Sequence, residues 1–254
     1  MVSFFRVNET LTSTNTYSID EVISITTNAI NQNKGIFITA LNLNVLYLLN
    51  NDDRFKNIFS KFHYSTFDGF SAIIWAKLIG FNKSITKVGA DGLFKIIFKE
   101  SEEKKWSVYV LGGTKKTESN FSANVKKHFP KLNIVGHHNG YFSLDEEKYI
   151  VQEINKKSPQ IVLVGLSVPF EHEWVCRNYS TLKNKIVITC GGYIEQTSKA
   201  GISYYPYKWI TSFHLNWVYQ IYKEPKRLWK RYFINGLWYI TFLFKLIICK
   251  KSGL

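Results

Sequence analysis

Ser107-Val108-Tyr109-Val110-Leu111-Gly112-Gly113 is the stretch that decides the fold. A short β-prone run, apolar at consecutive positions, goes straight into two glycines. Ile161-Val162-Leu163-Val164-Gly165 and Ile186-Val187-Ile188-Thr189-Cys190-Gly191-Gly192 repeat the form. A strand that faces water on one side alternates apolar and polar residues, whereas these do not. Runs buried on both faces and separated by helical segments predict a parallel sheet covered on both sides.

Working outward, Ile36-Phe37-Ile38-Thr39-Ala40 reads as a strand followed by a helix from Leu43 to Leu49. Phe62-His63-Tyr64-Ser65-Thr66 reads as a short strand ending at Phe67-Asp68-Gly69, with a helix from Phe70 to Ile79. Helices from about Thr117 to His128 and from Glu146 to Lys156 flank a strand over Leu132 to Gly136. The expected architecture is a Rossmann-like α/β core over residues 1–201, as one body or two coupled subdomains. A basic, aromatic, helical appendage over residues 202–254 follows it.

The chain has 254 residues, 45% of them hydrophobic, enough for one substantial core. Its formal net charge of +14 fits an anionic partner. No recognition-helix, RRM or zinc-finger pattern supports nucleic acid, so a phosphorylated substrate or an anionic membrane is expected. Cys176, Cys190 and Cys249 are odd in number and widely spaced, which argues against a disulfide framework or structural zinc. Met1 to Leu11 lacks the regions of a signal peptide, and a cytoplasmic location is expected.

In open parallel sheets ligands bind at the carboxyl ends of the strands. Gly112-Gly113, Gly165 and Gly191-Gly192 fall there. Glycine lets backbone N–H groups approach a phosphate, although tight turns also demand glycine for steric reasons. The absence of GxGxxG and GxxxxGK[ST] removes support for dinucleotide redox and for ATP hydrolysis. Asp68, at a strand end between Phe67 and Phe70, is a candidate general base or a helix cap. Thr39 and Asn42 could orient a sugar or diphosphate, and Asn42 could equally cap the helix at Leu43. His137-His138 and Asp52-Asp53 are read as loop and surface rather than metal ligands.

The tail begins with Glu224-Pro225-Lys226-Arg227-Leu228-Trp229-Lys230-Arg231-Tyr232 and continues in a nearly unbroken apolar run to Cys249. Its aromatic residues are spread around a helix rather than along one stripe. Asn235, Gly236 and Lys245 interrupt it, so a helix lying in a membrane interface is expected, against the alternative of a terminal helix packed on the core.

Several segments taken in order resemble the WecG/TagA/CpsF glycosyltransferases: Asn42-Leu43-Asn44-Val45-Leu46, Phe67-Asp68-Gly69, Gly89-Ala90-Asp91, Val110-Leu111-Gly112-Gly113, Gly136-His137-His138-Asn139-Gly140-Tyr141-Phe142, Val164-Gly165-Leu166-Ser167-Val168-Pro169 and Gly191-Gly192. Leu215-Asn216-Trp217-Val218-Tyr219, Glu224-Pro225 and Arg227 resemble that family's ending. The resemblance covers roughly Gly35 to Tyr232. It implies inverting, metal-independent transfer of a sugar from a UDP-sugar to a polyprenyl-pyrophosphate-linked acceptor at the cytoplasmic face of a bacterial membrane, with no cofactor. Asp68 resembles the general base. Thr39, Asn42, Lys87, Asp91, Tyr141 and the glycine loops resemble substrate-binding elements, and Arg227 and Arg231 would meet the acceptor pyrophosphate. A homo-oligomer stays open.

The chain departs from G-x-P-[KR]-Q-E with Val168-Pro169-Phe170-Glu171-His172-Glu173, and from F-D with Ile194-Glu195. A carboxylate at Glu171 would repel a diphosphate unless protonated or turned away. Gln196-Thr197 and the 204–209 aromatic segment resemble a capsule or exopolysaccharide branch. Two further readings stand beside this one: a Rossmann-like sugar-nucleotide modifying enzyme, and a silent partner docked on a polysaccharide-assembly complex, which Glu171 and His172 would favour.

Overall fold

The computed structural model describes residues 15–16, 18–79, 89–202, 204–205, 207–213 and 215–251. Seven strands form one sheet: β1 (Asn15–Thr16), β2 (Ile36–Leu41), β3 (Tyr64–Phe67), β4 (Ser107–Gly112), β5 (Asn133–His138), β6 (Ile161–Gly165) and β7 (Ile186–Thr189). Every pairing is parallel, in the order β1-β3-β2-β7-β6-β4-β5. Strands from opposite ends of the chain therefore lie side by side at the centre, with Ile36, Phe37 and Ile38 of β2 against Ile186, Val187 and Ile188 of β7.

The helices are α1 (Ile19–Asn31), α2 (Leu43–Asn51), α3 (Asp53–Phe59), α4 (Phe70–Leu78), α5 (Ala90–Glu103), α6 (Lys115–His128), α7 (Leu144–Lys157), α8 (Phe170–Arg177), α9 (Tyr193–Ala200), α10 (Lys208–Ser212), α11 (Asn216–Lys223) and α12 (Pro225–Lys251). Alternate residues of each central strand point to opposite faces. Val108, Val110, Ile161, Leu163, Ile186 and Ile188 pack with α1, α5, α6 and α9. Tyr109, Leu111, Val162, Val164 and Val187 face α7 and α8 instead. Both faces are covered, which is why these strands read as unbroken apolar runs.

Several boundaries differ from the sequence reading by one or two residues, among them the strand read over Leu132 to Gly136, which runs Asn133–His138. The strand expected from Phe62 begins at Tyr64, because Phe62 is buried in the turn that precedes it. The run from Ile186 stops at Thr189, since Gly191 turns the chain at φ 54°. Asp52 is more than solvated surface, as its carboxylate accepts from the Phe55 N–H at 3.0 Å and starts α3 one residue after α2 ends.

The tail helix divides between the two expectations held for it. Tyr239, Phe242 and Leu246 join the apolar cluster of α2 and α4, and Leu228 and Asn235 are buried on the same helix. That spacing of three, four and seven residues is one helical stripe. The opposite surface leaves Trp229, Phe233, Leu237, Phe244 and Ile248 exposed. Among the described residues no helix is long and apolar enough to cross a membrane.

Candidate active site

A cavity of about 760 Å³ opens at the carboxyl ends of β2, β3 and β7. Its floor is strand-end backbone with Thr39, Thr66 and Thr189, and Asp68 stands in the wall where β3 ends. The Asp68 N–H donates to the Leu41 carbonyl at 2.9 Å, extending the β2–β3 ladder by one rung and fixing the aspartate at the rim. The outer wall comes from the tail, with Tyr232, Asn235, Gly236, Tyr239 and Ile240. Asn235 Nδ2 donates to Asn44 Oδ1 at 2.9 Å, and the Tyr239 hydroxyl donates to the Ser71 carbonyl. These two bonds pin α12 across the mouth of the sheet.

Three of the helices that open onto this cavity start at a glycine. Gly69, Gly89 and Gly192 precede α4, α5 and α9, and none supplies a side-chain cap. Each of these glycines lines the cavity, as do the first residues of the helices they precede. The positive end of a helix dipole suits an anion. Elsewhere Ser18, Asp52, Thr114 and Ser143 cap α1, α3, α6 and α7 with their side chains. Asn42 caps α2 with bonds of 3.1 Å from the N–H groups of Asn44 and Val45 while also lining the cavity.

Glu171 and His172, the departures noted in the sequence, are tied into the surrounding structure by hydrogen bonds. The Gly191 N–H donates to Glu171 Oε2 at 2.9 Å, so the carboxylate is held by backbone and that amide is already used. His172 is wholly buried, and burial pushes its pKa down to about 3, leaving the ring neutral. Its Nε2 lies 2.8 Å from Thr39 Oγ1, and Thr189 Oγ1 lies 2.8 Å from the same oxygen. The short helix α8 that carries both residues is anchored from behind. Glu147 on α7 accepts from Arg177 Nη2 at 2.8 Å and from Asn178 Nδ2 at 2.7 Å.

On the opposite wall Asp91 is a half-buried carboxyl raised to about 6, chiefly by desolvation, with Lys95 and the Tyr204 N–H pulling the other way. Tyr205 stands near it. Burial, then the Asp68 and Asp91 carboxylates, hold its phenol above the usual range. Gln220 Nε2 donates to the Tyr205 oxygen at 2.7 Å, and the Tyr232 hydroxyl donates to Gln220 Oε1 at 2.9 Å. The described lining thus holds the carboxylates of Asp68, Asp91 and Glu171 and no lysine or arginine.

The structure brings Thr39, Asn42, Asp68, Asp91, Glu171, Gly191 and Gly192 to one cavity. Gly112, Gly113 and Gly165 do not line it. A Cβ on Gly112 would sit 2.5 Å from the Gly165 carbonyl oxygen, and one on Gly165 would sit 2.7 Å from Ile194, so steric need explains them. Tyr141 is exposed on the loop after β5, away from the lining. Glu195 turns to Lys199, 2.7 Å away, and its neighbour Gln196 lines the cavity instead. Lys87 lies outside the described residues, as do the side chains of Arg227 and Arg231 on α12. His137 and His138 point to separate carbonyls, of Gly112 and Asn139. Among the described residues no group of three or more His, Cys, Asp or Glu could hold a metal.

Sequence reasoning missed Tyr205, Gln220, Tyr232 and Asn235. They converge from segments with no common motif, and only the polar interruption of the apolar tail at Asn235 hinted at one of them.

Fold and cavity define a Rossmann-like α/β protein with a large cavity at the strand ends, where open parallel sheets bind their ligands. The family model for the glycosyl transferase WecG/TagA/CpsF family matches residues 9–252, and the chain belongs to that family. It is a glycosyltransferase. An N-acetylglucosaminyldiphosphoundecaprenol N-acetyl-beta-D-mannosaminyltransferase of Bacillus spizizenii is 26% identical over 210 residues, 83% of this chain and 79% of the relative. A UDP-Gal:alpha-D-GlcNAc-diphosphoundecaprenol beta-1,4-galactosyltransferase of Shigella boydii is 30% identical over 186 residues, 70% of this chain and 75% of the relative.

Proposed function

We propose that the chain transfers a sugar from a UDP-sugar, with inversion, to a polyprenyl-pyrophosphate-linked acceptor in the synthesis of a cell-surface polysaccharide. The observation that carries this reading is the convergence of Asp68 and three uncapped helix N-termini on one cavity. On this reading the N–H groups opening α4, α5 and α9 receive the donor diphosphate and the negative charge that grows on it as UDP departs. Asp68 takes the proton from the acceptor hydroxyl, which attacks the anomeric carbon from the side opposite UDP. Asp91 and Tyr205 orient the sugars. Lys87, Arg227 and Arg231 supply the cationic charge that the described wall lacks.

The exposed aromatic and aliphatic surface of α12, with Trp217 and Tyr222 of α11, supports docking on a membrane. Its cations favour an anionic leaflet, on this account the cytoplasmic one. A peripheral protein so docked would hold its cavity against the headgroups, where a lipid-linked sugar emerges. Capsule or exopolysaccharide synthesis is the setting we favour. The bonded state of Glu171 and His172 supports a rebuilt site over a decayed one, and so weighs against the silent-partner reading.

Release of UDP from a panel of UDP-sugars, with vesicles carrying N-acetylglucosaminyl-diphosphoundecaprenol, tests the proposal. Acceptor-dependent release with at least one donor is expected. Silence towards every donor would favour the docked partner without catalysis.

A further inference from the structure

Thr39 Oγ1 has one proton and two lone pairs to satisfy. Thr189 Oγ1 and His172 Nε2 each lie 2.8 Å away, and the residue lines the cavity. Which of these groups donates depends on where the imidazole proton sits. The ring is sealed among Phe55, Phe59 and Phe62, with centroids 5.1, 6.1 and 5.1 Å from its own. Such a site disfavours the doubly protonated ring, so one nitrogen bears hydrogen and the other accepts. Nδ1 has no hydrogen-bond partner, but Glu171 Oε1 lies 4.0 Å from it. Glu171 Oε2 meanwhile accepts from the Gly191 N–H. An N–H near a carboxylate is favoured over a lone pair near one. The proton therefore belongs on Nδ1, Nε2 accepts from Thr39, and Thr189 donates to Thr39. One lone pair of Thr39 is left over.

We propose that His172 is a positioning residue that takes up the Thr39 proton, so that Thr39 faces the cavity as a hydrogen-bond acceptor and selects a ligand presenting a hydroxyl or amide N–H there. The donor-site reading is needed only to say which ligand this is: a hydroxyl or acetamido N–H of the transferred sugar, and not a phosphoryl oxygen, which would meet the lone pair unfavourably. His172 carries no proton in the reaction. Its buried, neutral ring is a poor base and a stable acceptor.

Two measurements on the full chain test this. Long-range proton–nitrogen spectra of ¹⁵N-histidine protein at neutral pH, with His172 assigned from His172→Gln, should give hydrogen on Nδ1; hydrogen on Nε2 overturns the proposal. Calorimetry then compares UDP-galactose and UDP-N-acetylglucosamine with deoxy analogues of whichever binds. Against the wild type one analogue should bind roughly five- to tenfold more weakly, the weight of one hydrogen bond. Thr39→Val, checked for native melting, should erase that difference, and Thr39→Ser should keep it. Equal binding of every analogue by wild type refutes the selection. If no UDP-sugar of the donor panel binds, the donor reading fails on its own. The spectrum then decides the role of His172, with Nδ1–H upholding it and Nε2–H overturning it.

Discussion

The two halves of the sheet end in glycine for different reasons. At the ends of β4 and β6, Gly112 and Gly165 are glycine because the chain passes so close that a Cβ would collide with backbone or Ile194. Beyond β3 and β7, Gly69 and Gly191 have open space where a Cβ would go and adopt φ of 91° and 54°. The helix starts follow this division in part, since α8 after β6 has no side-chain cap and Asn42 caps α2 after β2. On the β4–β5 side α6 and α7 begin with capping boxes at Thr114 and Ser143, their N–H groups already satisfied. On the β2–β3–β7 side α4, α5 and α9 begin at glycine with no side-chain cap, facing a cavity.

The largest expected break in this comparison comes from removing the wall that belongs to neither half of the sheet. Truncation before Pro225 takes away Tyr232, Asn235 and Tyr239 together, and should abolish turnover of lipid-linked acceptor and release the protein from anionic vesicles. Normal turnover by the truncated chain would make the tail mere packing. Within the tail, Phe242→Ala should cost about 3–5 kcal/mol in denaturant unfolding, as a buried aromatic does. Phe233→Ser with Phe244→Ser, on the exposed surface, should stay within about 0.5 kcal/mol of wild type while weakening vesicle binding.

Glycine substitutions sharpen the contrast between the halves. Gly165→Ala should destabilise by about 1–3 kcal/mol through overpacking against Ile194 and the Gly191 carbonyl. Gly192→Ala, whose Cβ would meet nothing closer than Gln196 at 3.6 Å, should melt near wild type; any loss should instead appear in UDP binding.

Asp91 gives a smaller effect with a defined sign. Its native pKa of about 6 exceeds the roughly 3.9 of an unfolded aspartate, so the native state holds the proton longer. The stability it contributes is complete below about pH 4 and is lost as pH rises through about 6. Asp91→Asn should remove that decline, leaving the variant more stable than wild type by on the order of 2 kcal/mol above pH 6. Parallel stability–pH curves for the two proteins would contradict the desolvation assigned to Asp91.

The parallel sheet was legible because β4, β6 and β7 are apolar on both faces, a pattern that only two covering layers permit. Helix α1 was not, since Ile19, Val22, Ile23, Ile25 and the Thr26-Thr27 pair are β-branched, and the signal that starts it, the Ser18–Glu21 capping box, is a local polar pair. At the site, Thr39, Asn42, Asp68 and Asp91 were legible as polar residues at strand ends or in family motifs. Gly112, Gly113 and Gly165 looked the same from sequence, because a glycine required by close packing and one beside a ligand leave the same letter. Tyr205, Gln220 and Tyr232 stayed hidden, as their meeting depends on how α11 and α12 fold back over the sheet.

The central claim is that chemistry occurs in the cavity with Asp68 as the base. Its most direct test is Asp68→Asn, which keeps the shape and removes the proton acceptor. UDP-sugar affinity is measured by calorimetry and single-turnover transfer on vesicles with lipid-linked acceptor. The account predicts binding within a few-fold of wild type and transfer slower by roughly 10²- to 10⁴-fold. Transfer at the wild-type rate would contradict it.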